Sequence, residues 1–270
     1  MVEQIFTTIS AQEAKRMMDS QPEGSYLLLD VRQPSEYELD HMPGARLIPL
    51  GELEEKASEL DKKKRLILYC RAGPRSRAAS LLLSGMGFEQ VFNITGGIMD
   101  WPYQAVKGYP RVGIFTGKED FITAINLAFF MERGSENFYL MAAEKAQDPK
   151  ARDLLRRIAQ VEQGHMRMLY DHLKAEKKGD LPSFEEYYEF AERDLMEGGF
   201  TPDEYFYRPE ELAFQDEIHI LEMAIELEGV AYDLYRNITE QAEEEKVRNL
   251  LLEIAEQEKA HLKALAEEIG

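Results

Sequence analysis

The 270-residue sequence predicts two domains of different class: an α/β domain with a parallel sheet flanked by helices, then an all-α four-helix bundle. Three observations carry that expectation. Up to about residue 108, short apolar runs alternate with helical stretches, the rhythm of strands joined by helical crossovers. Beyond about residue 119 come four long helical patterns, paired by short turns and separated by one long crossover. The second half also repeats itself at a shift of 96 residues, the mark of a duplicated helix hairpin.

In the first half, SYLLLDVR (25–32), ARLIPL (45–50), RLILYC (65–70) and QVFNI (90–94) read as buried strands. AQEAKRMMDS (11–20), GELEEKASEL (51–60) and SRAASLLLSGM (76–86) read as helices between them. These elements form a domain over 1–108, and the Gly/Pro-rich stretch that follows is a linker, 109–118. The bundle occupies 119–270, with helices over 119–146, 150–178, 212–241 and 244–269. The crossover, 181–209, is rich in aromatics and acids and is expected to carry a short helix of its own.

At 44% hydrophobic residues the chain has enough apolar material for real cores. The net charge of −19 divides into −2 over 1–108 and −17 over 109–270. An acidic surface repels phosphate backbones, so nucleic acid is not an expected partner. One cysteine excludes an internal disulfide and any four-cysteine metal site. The start, MVEQIFTTIS, lacks the basic and apolar segments of a signal peptide, and no apolar run approaches the ~18 residues of a membrane span. A reduced, soluble, cytoplasmic protein without a membrane partner is expected.

The 96-residue shift lays ARDLLRRIAQVEQGHMRML (151–169) on VRNLLLEIAEQEKAHLKAL (247–265) and FMERGSENFY (130–139) on ELEGVAYDLY (226–235). A shared core would keep the leucines; it would not require Glu162 and His165 to recur as Glu258 and His261, or Glu132 as Glu228. Each Glu-x-x-His pair lies on one helical face, shared with Ile158 and Leu169 or with Ile254 and Leu265. Glu132 shares its stripe with Ile125, Phe129 and Tyr139, and Glu228 with Leu221, Ile225 and Tyr235. Four glutamates and two histidines therefore point at one core. One unpaired buried carboxylate costs several kcal/mol, whereas two divalent cations neutralise four carboxylates, with both histidines neutral. Oxygen and nitrogen ligands suit iron, with manganese as an alternative, and the pattern is that of di-metal carboxylate bundles. Tyr139 and Tyr235 are placed to hydrogen-bond the carboxylates, and His172 and His219, unmatched by the repeat, read as structural.

Cys70 ends an apolar strand, and Ser76 is expected to open the next helix, so CRAGPRS lies at a strand's carboxyl end and a helix N-terminus. Amides there face an anion, Arg71 and Arg75 add positive charge, and together these lower a thiol pKa. Cys70 is thus expected to be a reactive thiolate.

Residues 119–175 and 212–269 resemble the ferritin-like domain of rubrerythrins, and Glu132, Glu162, His165, Glu228, Glu258 and His261 match that family's ligand positions. The resemblance implies a ferritin-like fold and two iron ions in a non-haem centre reacting with peroxide or oxygen. Rubrerythrins commonly carry a four-cysteine rubredoxin module; with one cysteine here, the resemblance implies an external electron donor such as a rubredoxin. Many also have a further glutamate one turn beyond the third-helix ligand, where this sequence has Ala231.

The first 105 residues resemble a single-domain rhodanese, through LLLDVRQPSEYELDHMPGARLIPL (27–50), YCRAGPRS (69–76) and NITGGIMDWP (93–102). The likeness implies a sulfurtransferase in which Cys70 takes a sulfane sulfur as a persulfide. Arg71, Ala72, Gly73, Pro74 and Arg75 would hold the persulfide and the anionic donor, and a thiol or cyanide-like acceptor would receive the sulfur. Asp30, Arg32, Glu36 and His41 would support the loop. A phosphatase of the same architecture is the rival reading, but it needs five residues between cysteine and arginine, and Arg71 to Pro74 makes four. The expected whole is a sulfurtransferase joined to a di-iron redox domain, forming a homodimer. A persulfide carrier or redox/iron sensor without turnover at the metal is the alternative, and a dimerising scaffold a third.

Overall fold

The structure, a computed structural model, describes residues 6–177, 179–206 and 217–269. Residues 1–5 of the N-terminal stretch, residue 178, residues 207–216 (including the expected start of the third bundle helix) and residue 270 lie outside them. The chain divides into two compact units between Tyr109 and Pro110.

The first unit runs β1 (Thr7–Ile9), α1 (Ala11–Ser20), β2 (Tyr26–Asp30), α2 (Pro34–Leu39), β3 (Arg46–Leu47), α3 (Leu53–Lys56), β4 (Arg65–Tyr69), α4 (Pro74–Gly85) and β5 (Val91–Ile94). The strands form one sheet in the order β1-β5-β4-β2-β3, every pairing parallel. Both faces are covered, which is why β2 and β4 are apolar without alternation. Leu27, Leu29, Leu66 and Leu68 pack with Leu53 of α3 and Ala79 and Leu83 of α4. Tyr26, Leu28, Ile67 and Tyr69 pack with Ala14 and Met18 of α1 and Tyr37 of α2. Asp30 lies opposite Tyr69 in the register, so Cys70 leaves the sheet at its carboxyl edge, where open α/β sheets place their ligands.

The expected α/β class holds, with local differences. The three-residue β1 and the six-residue α2 are too short to show periodicity. The strand expected over 45–50 is regular only at Arg46–Leu47. Pro49 has no N–H to continue the ladder, although Ile48 and Leu50 still donate to Asp30 (2.9 Å) and Val31 (3.2 Å) carbonyls. Helix α4 begins at Pro74, not Ser76, because Gly73 takes φ 104° as its N-cap and proline is suited to the first helical position.

The second unit contains α5 (Phe121–Lys145), α6 (Pro149–Glu176), α7 (Phe184–Phe190), α8 (Pro202–Phe206), α9 (Glu217–Thr239) and α10 (Glu245–Ile269). Asp120 and Asp148 cap α5 and α6 by accepting from backbone amides of their first turns. The four long helices form the ferritin-like bundle. Its core is divided. One cluster joins Ile125 and Phe129 with Leu169, Tyr235 and Ile254; the other joins Tyr139 and Ala142 with Leu155, Ile158 and Leu221. In the sequence of every long helix, the glutamates singled out above fall between these two apolar layers. Among the described residues, no helix is long and apolar enough to cross a membrane.

Candidate functional site

Cys70 is buried, and its sulfur sits inside the turn that launches α4. The Gly73 amide donates to Sγ at 3.1 Å and the Ser76 hydroxyl at 3.6 Å. Burial, the largest influence, pushes the thiol up; hydrogen bonds from the Ser76 amide and hydroxyl and from the Gly73 and Ala72 amides outweigh it, leaving the pKa lowered. The turn is clamped from behind. Ile98 and Met99 amides donate to the Cys70 and Arg71 carbonyls at 2.9 and 3.1 Å. Gly97 lets the strands of backbone approach: a Cβ there would lie 2.1 Å from the Cys70 carbonyl oxygen. With carbonyls held outward, the loop's amides are free to face the sulfur.

The two arginines differ. Arg71 is exposed. Arg75 is engaged by Glu36, which accepts from both guanidinium nitrogens at 2.6 and 2.7 Å; this pairing holds the Glu36 carboxyl down at about 2. Arg75 is also raised, first by Glu36 and further by its proximity to Cys70, so α2 fixes a cation beside the sulfur. Deeper down, Arg32 binds buried Asp30 at 2.8 Å and Asp40 at 3.0 Å, and the His41 ring stacks on Tyr37 at 3.6 Å. These groups brace the sheet edge from which the loop departs.

In the bundle, Glu132, Glu162, His165, Glu228 and Glu258 are buried and His261 half-buried. The six come together. His165 Nδ1 lies 3.0 Å from Glu132, 3.6 Å from Glu162 and 3.5 Å from Glu258. His261 Nδ1 lies 3.4 Å from Glu228 and 4.0 Å from Glu258, and the two imidazoles stack at 4.5 Å. Tyr139 donates to Glu228 at 3.1 Å. His172, by contrast, pairs with Glu253 at the surface.

Burial, reinforced by neighbouring carboxylates, pushes Glu132, Glu162 and Glu258 well above the usual carboxylate range. Glu228 goes the other way: burial raises it, but His261 and Glu258 hydrogen bonds hold it low. Burial keeps His165 low and hence neutral. Both side-chain oxygens of Glu162 and of Glu258, and one of Glu132, are buried without a hydrogen-bond partner. The same unit satisfies another buried glutamate. Glu136 accepts from Arg133 (2.6 Å), Gln163 (2.6 Å) and Tyr188 (2.9 Å). This unit is therefore able to furnish donors, and it withholds them from Glu162, Glu258 and one oxygen of Glu132. Orphaned carboxylate oxygens beside imidazole nitrogens are the donor set a pair of oxygen- and nitrogen-ligated cations requires, so these residues fit a di-metal group.

Sequence comparison agrees with both halves. The family model described as Rubrerythrin matches residues 103–193 and 219–270, more than half of the chain. The chain belongs to the rubrerythrin family. A rhodanese-like domain precedes that region, matched over residues 10–103. The rhodanese-like part is 33% identical over 99 residues to a sulfurtransferase of Allochromatium vinosum, covering 37% of this chain and 87% of that one. It is 40% identical over 82 residues to a thiosulfate sulfurtransferase of Escherichia coli, covering 30% and 78%. It is also 40% identical over 93 residues to a putative sulfur carrier protein of Bacillus subtilis, covering 34% and 49%, so the chain spans about half of that relative's length. A rubrerythrin domain implies a metal-binding site, and the cluster just described is where such a site fits.

One residue of the centre escaped the sequence reading. Glu197, in the α6–α9 connection, is buried, and a ligand atom from it lies within 4.8 Å of ligand atoms of Glu132 and Glu162. It obeys no helical period; the only local signal is the Gly-Gly that follows it.

Proposed function

We propose that this rubrerythrin joins a persulfide-forming sulfurtransferase, with Cys70 as nucleophile, to a di-iron redox centre held by Glu132, Glu162, His165, Glu228, Glu258 and His261. The observation that supports the first activity is the ring of donors on Sγ, which favours thiolate in a closed turn. The thiolate attacks the outer sulfur of a sulfane donor such as thiosulfate. A Cys70 S–S bond forms as the donor's S–S bond breaks, and sulfite leaves with the bonding pair. A thiol or cyanide then takes the outer sulfur and returns the thiolate. The Ala72, Gly73 and Ser76 amides steady the charge, while Arg75, held by Glu36, adds a fixed cation near the sulfur.

The orphaned oxygens support the second activity. When bound, the iron pair would supply electrons to peroxide or oxygen, and an external donor would restore them. The chain's own part is to orient: Tyr139 holds Glu228, His165, kept low by burial, keeps a nitrogen lone pair available, and the two apolar layers exclude water from either side. The name of the Bacillus relative favours a second reading, a persulfide carrier that loads sulfur without turning over. One experiment separates these. Anaerobic loading with ferrous iron, metal analysis per chain, and a thiosulfate-to-cyanide assay should give two irons and multiple turnovers. A single stoichiometric sulfur transfer would favour the carrier, and no metal uptake would remove the di-iron centre.

A further inference from the structure

The α6–α9 connection lies between the two repeated hairpins, yet it brings a carboxylate to the centre. The Met196 amide donates to the Phe200 carbonyl at 2.7 Å and the Gly199 amide to the Met196 carbonyl at 3.0 Å, closing a tight turn. That turn is wedged between two helices. A Cβ on Gly134 of α5 would lie 2.0 Å from the Leu195 carbonyl oxygen, and one on Gly198, at φ 76°, would lie 2.5 Å from Val230 of α9. Gly134 and Val230 are equivalent positions under the repeat, so the turn sits where duplication would otherwise make the two halves alike. The Glu197 amide donates to the Ser135 hydroxyl at 3.1 Å. Glu197 itself is only 4% exposed, and its Oε1 has no hydrogen-bond partner. One turn beyond Glu132 and Glu228 stand Ser135 and Ala231, neither able to supply a carboxylate.

We propose that Glu197 is a seventh protein ligand of the metal pair, supplied by the crossover on the Glu132/Glu162 side. The proposal rests on the six-ligand reading above. Five carboxylates and two neutral histidines match a metal pair of total charge +5, one divalent and one trivalent ion, where four carboxylates match two divalent ions. Among the described residues, Glu197 joins one cluster of candidate ligands, with Glu132 and Glu162, so the two metal positions are inequivalent despite the duplicated helices.

Glu197→Gln keeps the shape of the side chain and removes its charge. Wild type and variant are loaded anaerobically with ferrous iron, and iron retention is followed against increasing chelator, alongside apo melting. The variant should melt, metal-free, no lower than the wild type and lose one iron at about tenfold less chelator, a ligand-shell effect, while the other iron stays within about twofold. Two irons held equally in both proteins would overturn Glu197 as a ligand and leave the six-ligand centre standing. No iron in either would overturn both. Should the glutamine variant fail to fold, the crystal structure of iron-loaded wild type decides: a Glu197 oxygen within metal–oxygen bonding distance supports the proposal, and a carboxylate turned away overturns it.

Discussion

Two buried acidic groups are accommodated in this chain by opposite means. At Cys70 the backbone provides: amides and a hydroxyl converge on the sulfur, and the pKa falls despite burial. At Glu162 the protein provides nothing, and both oxygens are left bare. The difference lies in what each site waits for. A loop that donates hydrogen bonds is complementary to an anion; a layer that only accepts them is complementary to a cation. Glu136 shows that the contrast is not a matter of fold, since the same unit pairs it with Arg133 of α5, Gln163 of α6 and Tyr188 of α7.

The largest effect expected from breaking this comparison is at the sulfur. Cys70→Ser should reduce thiosulfate-to-cyanide transfer to background while leaving iron per chain unchanged. Turnover near the wild-type rate would remove the sulfurtransferase assignment. Next, Glu162→Ala or Glu258→Ala should strip most of the iron, measured by metal analysis. Glu136→Ala should leave iron in place but cost about 3–5 kcal/mol of stability by orphaning Arg133. If Glu136→Ala lost iron as readily as Glu162→Ala, satisfied and orphaned glutamates would not differ in kind.

Chelation should lower the melting temperature of the bundle, because a ligand bound only by the folded state stabilises it; an unmoved transition would count against a structural metal pair. A smaller effect is expected from Ser76→Ala. Removing a donor from Sγ raises the thiol pKa, and transfer needs the thiolate. The rate falls as pH drops through that pKa, so the variant's acid limb should lie at higher pH in a kcat/KM profile. A superimposable profile would mean the loop amides alone tune the sulfur.

The smallest effect belongs to Glu36→Gln. Glu36 is held at about 2, below its unfolded value near 4.5. Its contribution is therefore present above that unfolded value and lost as pH falls towards about 2. The partly exposed pair is worth less than about 1 kcal/mol. Wild type should exceed the variant in melting temperature at pH 6, and the gap should narrow by pH 3.

The six-residue centre was legible because glutamates and histidines recurred at a fixed shift on faces otherwise apolar, and Cys70 because its strand and Gly-Pro turn fix its setting. What escaped was the product of tertiary contact. Glu36 and Arg75 meet across 39 residues, so the sequence did not show that the residue supporting the loop does so by pairing with Arg75. Glu197 reaches the centre from a connection whose path depends on Gly134 leaving room for Leu195. Periodicity reports which face of a helix is buried; it is silent about a turn inserted between helices. Likewise, β1 with three residues and α2 with six are held by neighbours rather than by pattern.

The solitary thiol has a chemical corollary. Many cysteines that accept sulfur or oxygen are discharged by a second thiol of the same chain, which closes a disulfide and expels the adduct. Cys70 has no such resolving partner in this sequence. A persulfide formed there has no intramolecular exit, so its lifetime is set by the concentration and reach of an outside nucleophile. An oxidised Cys70 would depend on an outside reductant in the same way.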